Sequence, residues 1–92
     1  MTYDVEVSEQ TKSLLEDLHR DDRRASRDLA LLLLRLEKDP KPDGSRELVT
    51  HSRARRRGSV EERVWDVANF CILYRINSRR RLIEVGVVIR RG

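Results

Sequence analysis

The first residues alternate. Tyr3, Val5 and Val7 fall on one side of an extended chain, and Thr2, Asp4 and Glu6 fall on the other. That period of two predicts a half-buried strand over Thr2–Val7. Ser8 then offers an N-cap, and Leu14, Leu15 and Leu18 make the apolar stripe of a helix reaching about His19. Lys12, Glu16 and Asp17 take its outer side. Asp21 or Asp22 can cap a second helix. In it Ala25, Leu29, Leu32, Leu33 and Leu36 recur at i, i+4, i+7, i+8 and i+11, one face of a 3.6-residue period. Ala30, Leu31 and Leu34 widen the stripe, so this helix is expected to be flanked on more than one side. Two adjacent leucine-striped helices joined by a short polar turn predict a helical hairpin. It stops at Asp39-Pro40-Lys41-Pro42-Asp43-Gly44, where two prolines and a glycine cannot continue a helix.

From Glu47 the pattern turns to β. Leu48 and Val49 begin a weak strand, and the basic stretch His51–Gly58 reads as a loop or strand extension. Arg63, Trp65 and Val67 alternate with Glu62, Val64 and Asp66, and Ala68-Asn69 makes a turn. Phe70, Ile72, Tyr74 and Ile76 then alternate with Cys71, Leu73 and Arg75. Asn77–Arg81 reads as a polar hairpin connection. Leu82–Ile89 is almost continuously apolar and β-branched, the signature of a central strand buried on both faces. The predicted fold is α+β within one domain, residues 1–92. An N-terminal strand and a helical hairpin precede a mostly antiparallel sheet of three or four strands, with both helices on one face. The opposite face is then expected to carry polar or charged residues, or to be covered by a partner.

Composition narrows the class. No apolar run approaches the roughly 20 residues that span a bilayer, and Met1–Glu9 lacks the basic and apolar regions of a secretory signal. The expected location is cytoplasmic, with no membrane partner. The single cysteine, Cys71, excludes a disulfide scaffold and a multi-cysteine zinc site, and no cofactor or metal is expected. The net charge of +4 conceals a division. Residues 1–48 sum to −3 and residues 49–92 to +7. Of the 20 basic residues only Lys12, Lys38 and Lys41 are lysine. An arginine-rich genome accounts for that ratio as well as a phosphate- or carboxylate-binding surface does. The segregation of charge points to a polyanionic partner, nucleic acid or an acidic protein segment.

Within the basic half, Arg53, Arg55 and Arg57 alternate, so an extended segment would turn all three to one side, toward successive phosphates. A solvated loop or a partner contact fits them equally. With Arg56 and Arg75 they form the candidate binding set for nucleic acid or partner. His51 is the one residue in this half that titrates near neutral pH. His19 reads as a cation at a helix C-terminus. Cys71 reads as a small half-buried strand residue, Tyr74 as a core residue with its hydroxyl bonded at an edge, and Trp65 as core.

Several of these segments together resemble one family. They are Tyr3-Asp4-Val5-Glu6-Val7, the leucine-rich hairpin, the exit Leu36-Glu37-Lys38-Asp39-Pro40-Lys41-Pro42, the strand Phe70-Cys71-Ile72-Leu73-Tyr74-Arg75-Ile76, and Val85-Gly86-Val87-Val88-Ile89-Arg90-Arg91. In order, spacing and length the chain resembles the RelE/ParE superfamily of toxin–antitoxin toxins. The resemblance implies a toxin held inactive by a cognate antitoxin. RelE-type members cut mRNA on the ribosome without a metal, and ParE-type members poison DNA gyrase. A member without catalytic residues would only bind its antitoxin. On the RelE reading the terminal-strand arginine matches Arg91, with Arg90 beside it, and His51 supplies proton transfer. Cys71 stands where the family's strand motif carries arginine. The preceding strand offers Glu62, Val64 and Asp66 at its usual basic positions, and no Tyr or His follows Arg91.

Overall fold

The computed structural model describes residues 2–48 and 60–91, and these form seven elements. These are β1 (Asp4–Val7), α1 (Glu9–Asp21), α2 (Arg23–Lys38), β2 (Ser45–Glu47), β3 (Val60–Val67), β4 (Phe70–Asn77) and β5 (Leu82–Arg90). The strands make one five-stranded sheet in the order β1-β5-β4-β3-β2. The pairings of β2, β3, β4 and β5 are antiparallel, while β1 runs parallel to β5. The α+β class and the helical hairpin are as expected. Four strands follow the hairpin, within the three or four expected, and β1 joins the same sheet beside β5 as its fifth.

Capping chemistry sets the helix boundaries. The Ser8 side chain accepts from the Thr11 N–H at 3.2 Å and starts α1. Asp22 ends α1 and starts α2, its carboxylate accepting from the Ala25 N–H at 3.2 Å. A side-chain acceptor of this kind satisfies an N–H that the first helical turn leaves free. Both helices pack on one face of the sheet. Leu18, Ala25, Leu29, Leu33 and Leu36 meet Trp65, Phe70, Ile72, Tyr74, Ile76, Ile83, Val85 and Val88 in one core. Tyr3, Val5 and Val7 close it from the β1 side, as their alternation predicts. Leu31 and Leu34 do not join it and stay about half exposed, at 56% and 52%. The widened stripe of α2 therefore does not mean burial on more than one side in this chain.

The last strand departs from the sequence reading in an instructive way. β4 and β5 pair in steady register from Phe70↔Arg90 to Leu73↔Val87, and then Tyr74 pairs with Val85. Gly86 is left over, a one-residue bulge that reverses the phase of β5. Ile83 and Val85 face the helices on one side of it, and so does Val88 on the other. Val87 and Ile89 turn to the opposite face and are 40% and 52% exposed. β5 is thus an interior strand, but it is not buried on both faces throughout. Three side-chain contacts hold the bulge. Ser8 Oγ donates to the Gly86 carbonyl at 2.6 Å. The Gln10 amide donates to the Val88 carbonyl and accepts from the Val88 N–H, each at 3.2 Å. Gln10 thereby continues, with one side chain, the strand pairing that β1 abandons at Val7.

At the far edge, the Tyr74 hydroxyl donates to the Pro40 carbonyl at 2.6 Å and ties the hairpin exit to the sheet. Trp65 is buried, with Arg35 stacked 5.8 Å from its ring centroid. Of the weak strand expected to begin at Leu48 and Val49, Val49 lies outside the described residues, and a strand stands just before it, at Ser45–Glu47. The Leu48 N–H still donates to the Glu62 carbonyl at 2.7 Å. No helix is long and apolar enough to cross a membrane among the described residues.

Two stability predictions follow from these contacts. Leu29→Ala should lower unfolding free energy by about 2–5 kcal/mol, since it removes a fully buried side chain from a packed core. Tyr74→Phe should cost about 1–2 kcal/mol, because only one hydrogen bond at a buried edge is lost. Urea unfolding of the two variants checks both the sizes and the ranking. A second test concerns Asp22, whose carboxyl is held below its ordinary range by the Ala25 N–H and by Arg90. A lowered folded pKa stabilises the fold above the ordinary carboxylate pKa, and this is lost as pH falls through the folded value. Asp22→Asn keeps a capping side chain and removes the Arg90 ion pair. Its stability should lie below the parent's at pH about 7 and converge with it at pH about 2, below the carboxylate range.

Candidate functional site

On the face of the sheet turned away from the helices, strand register arranges the side chains in rows. One row crosses four strands as Glu62, Arg75, Glu84 and Glu6. The next contains Arg46, Val64, Leu73 and Val87. A third holds Asp66, Cys71 and Ile89. The first row, with Leu73 and Val87 of the second and with Ser8, Leu48 and Gly86, lines a cleft of about 350 Å³.

The charge in that cleft is mostly negative. Arg75 lies 3.7 Å from Glu62, and Glu6 and Glu84 have no ion-pair partner among the described residues. Arg63 borders the cleft but is only 12% exposed. It is held by Glu61 and by Ser45, whose Oγ accepts from its Nη2 at 3.0 Å. Burial pushes the Glu61 carboxyl up, and Arg63 with Lys41 outweighs it, leaving its pKa lowered. The described part of the cleft therefore offers one exposed guanidinium, Arg75, and three exposed or half-exposed carboxylates. It can accept protons and pair with a cation. It does not assemble a group of cations around a phosphate.

Alternation sends the two terminal arginines to opposite sides, and the bulge decides which goes where. Arg90 lies on the helix side, and its Nη2 bonds the α2 cap Asp22 at 2.6 Å. Arg91 continues the open side, and its Nη2 bonds Asp66 at 2.6 Å, with Arg46 at 3.9 Å from the same carboxylate. Of the residues expected to act, Arg75 and Arg91 share the open face and Arg90 does not. His51, Arg53, Arg55, Arg56 and Arg57 lie outside the described residues. Cys71 is half-buried beside Asp66, and burial, then the Asp66 carboxylate, push its thiol pKa up, with Arg91 offsetting them in part. A thiol held protonated is a poor nucleophile, as the reading of Cys71 as a packing residue requires.

The sequence reading placed Glu6 on the polar side of β1 but gave it no role. Its position became meaningful only through the parallel pairing with β5, which sets Glu6 beside Glu84. Arg46 was likewise missed. Its signal, a basic residue in a short strand before the meander, is visible only once β2 is paired with β3.

No protein-family model matches this chain, and no curated protein matches it in sequence. Among solved structures it is similar to the archaeal RelE of a RelE–RelB complex from Pyrococcus horikoshii OT3. The TM-score is 0.79 at 20% sequence identity, and the match covers 100% of this chain and 98% of that one. Over its whole length, then, this chain has the RelE fold.

Proposed function

We propose that this chain is the toxin of a toxin–antitoxin pair, held inactive by a cognate antitoxin. Its RelE-like action would be ribosome-dependent cleavage of mRNA in the cytoplasm. The observation that carries this reading is the end-to-end similarity of fold to a RelE crystallised with RelB. It agrees with the segments by which the sequence resembles RelE/ParE toxins. Fold alone does not determine chemistry, so the residues must be assigned individually.

Metal-independent RNA cleavage moves two protons. The ribose 2′-OH loses one as its oxygen attacks the adjacent phosphorus, and the departing 5′-oxygen gains one. Cations must balance the charge that builds on the phosphoryl oxygens. In this chain Arg91, Arg75 and Arg46 are described cations on the open face. Arg53, Arg55, Arg56 and Arg57 would add phosphate contacts, and His51 would carry a proton. Arg91 would serve the phosphate by exchanging Asp66 for it. Arg90, engaged with Asp22, acts on the fold and only indirectly on any substrate.

One observation favours a second reading, in which the chain acts by binding, as a ParE-like gyrase inhibitor or as an antitoxin-binding protein alone. Both terminal arginines already hold aspartates, and Cys71, a half-buried thiol, stands at the strand position where arginine is usual.

Cell-free translation separates these readings. The proposal predicts arrest with cut reporter mRNA, relieved by adding the antitoxin. Arg91→Ala should then lower the cleavage rate by about a hundredfold, the scale expected when one charge-stabilising group is removed. Its exposed position should leave folding intact. Arrest with intact mRNA would remove the nuclease reading. Loss of gyrase supercoiling with translation unaffected would establish the ParE-like alternative.

A further inference from the structure

Helix α2 carries two stripes. The inner one, Ala25, Leu29, Leu33 and Leu36, is the core. The outer one is Arg27, Leu31, Leu34 and Lys38, with spacings of four, three and four residues. That is the spacing by which one helix seats another along a heptad seam. All four residues are exposed. The two leucines are 56% and 52% exposed and sit together in the middle of the stripe, with cations at both ends. Arg23 and Arg24 flank the same side and are exposed too.

These cations are free in a way that those of α1 are not. On α1, Lys12 pairs with Glu9 and Arg20 with Asp17 and Asp21. On α2, Arg23, Arg24, Arg27 and Lys38 make no ion pair among the described residues, and Arg35 is engaged over Trp65. A helix that has only to be solvated gains from i,i+4 pairs of opposite charge. This one has a single such spacing, Arg24 and Asp28, with no ion pair between them, and otherwise presents unpaired positive charge around an apolar centre.

We propose that the outer face of α2 is a docking seam for an acidic amphipathic helix of another protein. The partner's apolar residues would cover Leu31 and Leu34, and its carboxylates would meet Arg24, Arg27 and Lys38. From Arg27 to Lys38 the seam runs about 16 Å, roughly three turns. A helix pair of that length is held by a few apolar contacts, with flanking charge selecting the partner. The charge also excludes a second copy of this helix as the occupant, because arginines and lysine would face each other. A nucleic acid would meet the cations but leave the leucines uncovered. The seam lies on the side of the molecule away from the open sheet face, so the inference stands on α2 alone, whatever the fate of the toxin reading.

The test uses the full chain and a synthetic helical peptide of about 21 residues, three heptads, with leucine at the seam positions and glutamate beside them. Controls are a scrambled peptide of equal composition and a short single-stranded RNA. Fluorescence anisotropy at about 0.15 M salt should show binding of the patterned peptide at least about tenfold tighter than of the scrambled one. The double variant Leu31→Ser, Leu34→Ser should abolish that preference with an unchanged urea midpoint. Arg27→Glu with Lys38→Glu should transfer binding to a peptide carrying lysine in place of glutamate. Equal binding of patterned and scrambled peptides would overturn the proposal. So would no binding, loss of RNA binding in the leucine variant, or failure of the charge swap.

Discussion

The phase reversal at Gly86 is the constraint on which the rest of the molecule depends. A strand with one buried side alternates, and strict alternation from Ile83 and Val85 would bury Val87 and expose Val88. One unpaired residue inverts this. Val88 joins the core beside Phe70 and Ile72, and Val87 and Ile89 move to the open face. The inversion continues past the strand, where it sends Arg90 to the α2 cap and Arg91 to Asp66. Which arginine belongs to the open face is thus decided five residues away. Ser8 and Gln10 fix the point of reversal from α1, so the first helix helps to set the register of the last strand.

The open face consequently has two characters. Before the bulge it carries the charged row Glu62–Arg75–Glu84–Glu6, and after it the apolar Leu73, Val87 and Ile89 stand near Asp66 and Arg91. Like charges at paired positions, as at Glu6 and Glu84, oppose sheet formation by a few tenths of a kcal/mol up to about 1 kcal/mol. A partner that brings a cation between them relieves that repulsion. Among the described residues, exposed positive charge also lies away from the cleft, on the β4–β5 connection Arg79–Arg81 and on the outer side of α2.

Local chemistry was legible in the sequence where one segment decided its own structure. The alternation of β1, the Ser8 and Asp22 caps, the breaking of α2 at Asp39–Gly44 and the inward set of β3 and β4 were all readable. So were the edge hydrogen bond of Tyr74 and the burial of Trp65. What could not be read arose from pairing between distant segments. The parallel register of β1 on β5, the row it builds, and the bulge all depend on contacts between residues nearly eighty positions apart. The apolar run Leu82–Ile89 looked buried on both faces because a phase reversal fills both parities with hydrophobic residues. The candidate site was only half legible for the same reason. Which of the neighbours Arg90 and Arg91 reaches the open face depends on the bulge.

The phase of β5 can be measured directly by placing one carboxylate on either side of the reversal. Val88→Asp and Val87→Asp differ by one position in sequence and should differ sharply in urea unfolding. Val88→Asp should cost about 3 kcal/mol or more, because it buries an unpaired charge in the core. Val87→Asp should change stability by about 1 kcal/mol or less, as a surface substitution does. A tolerated Val88→Asp with a destabilised Val87→Asp would contradict the account, since it would mean that β5 alternates without the bulge and that Arg90, not Arg91, belongs to the open face.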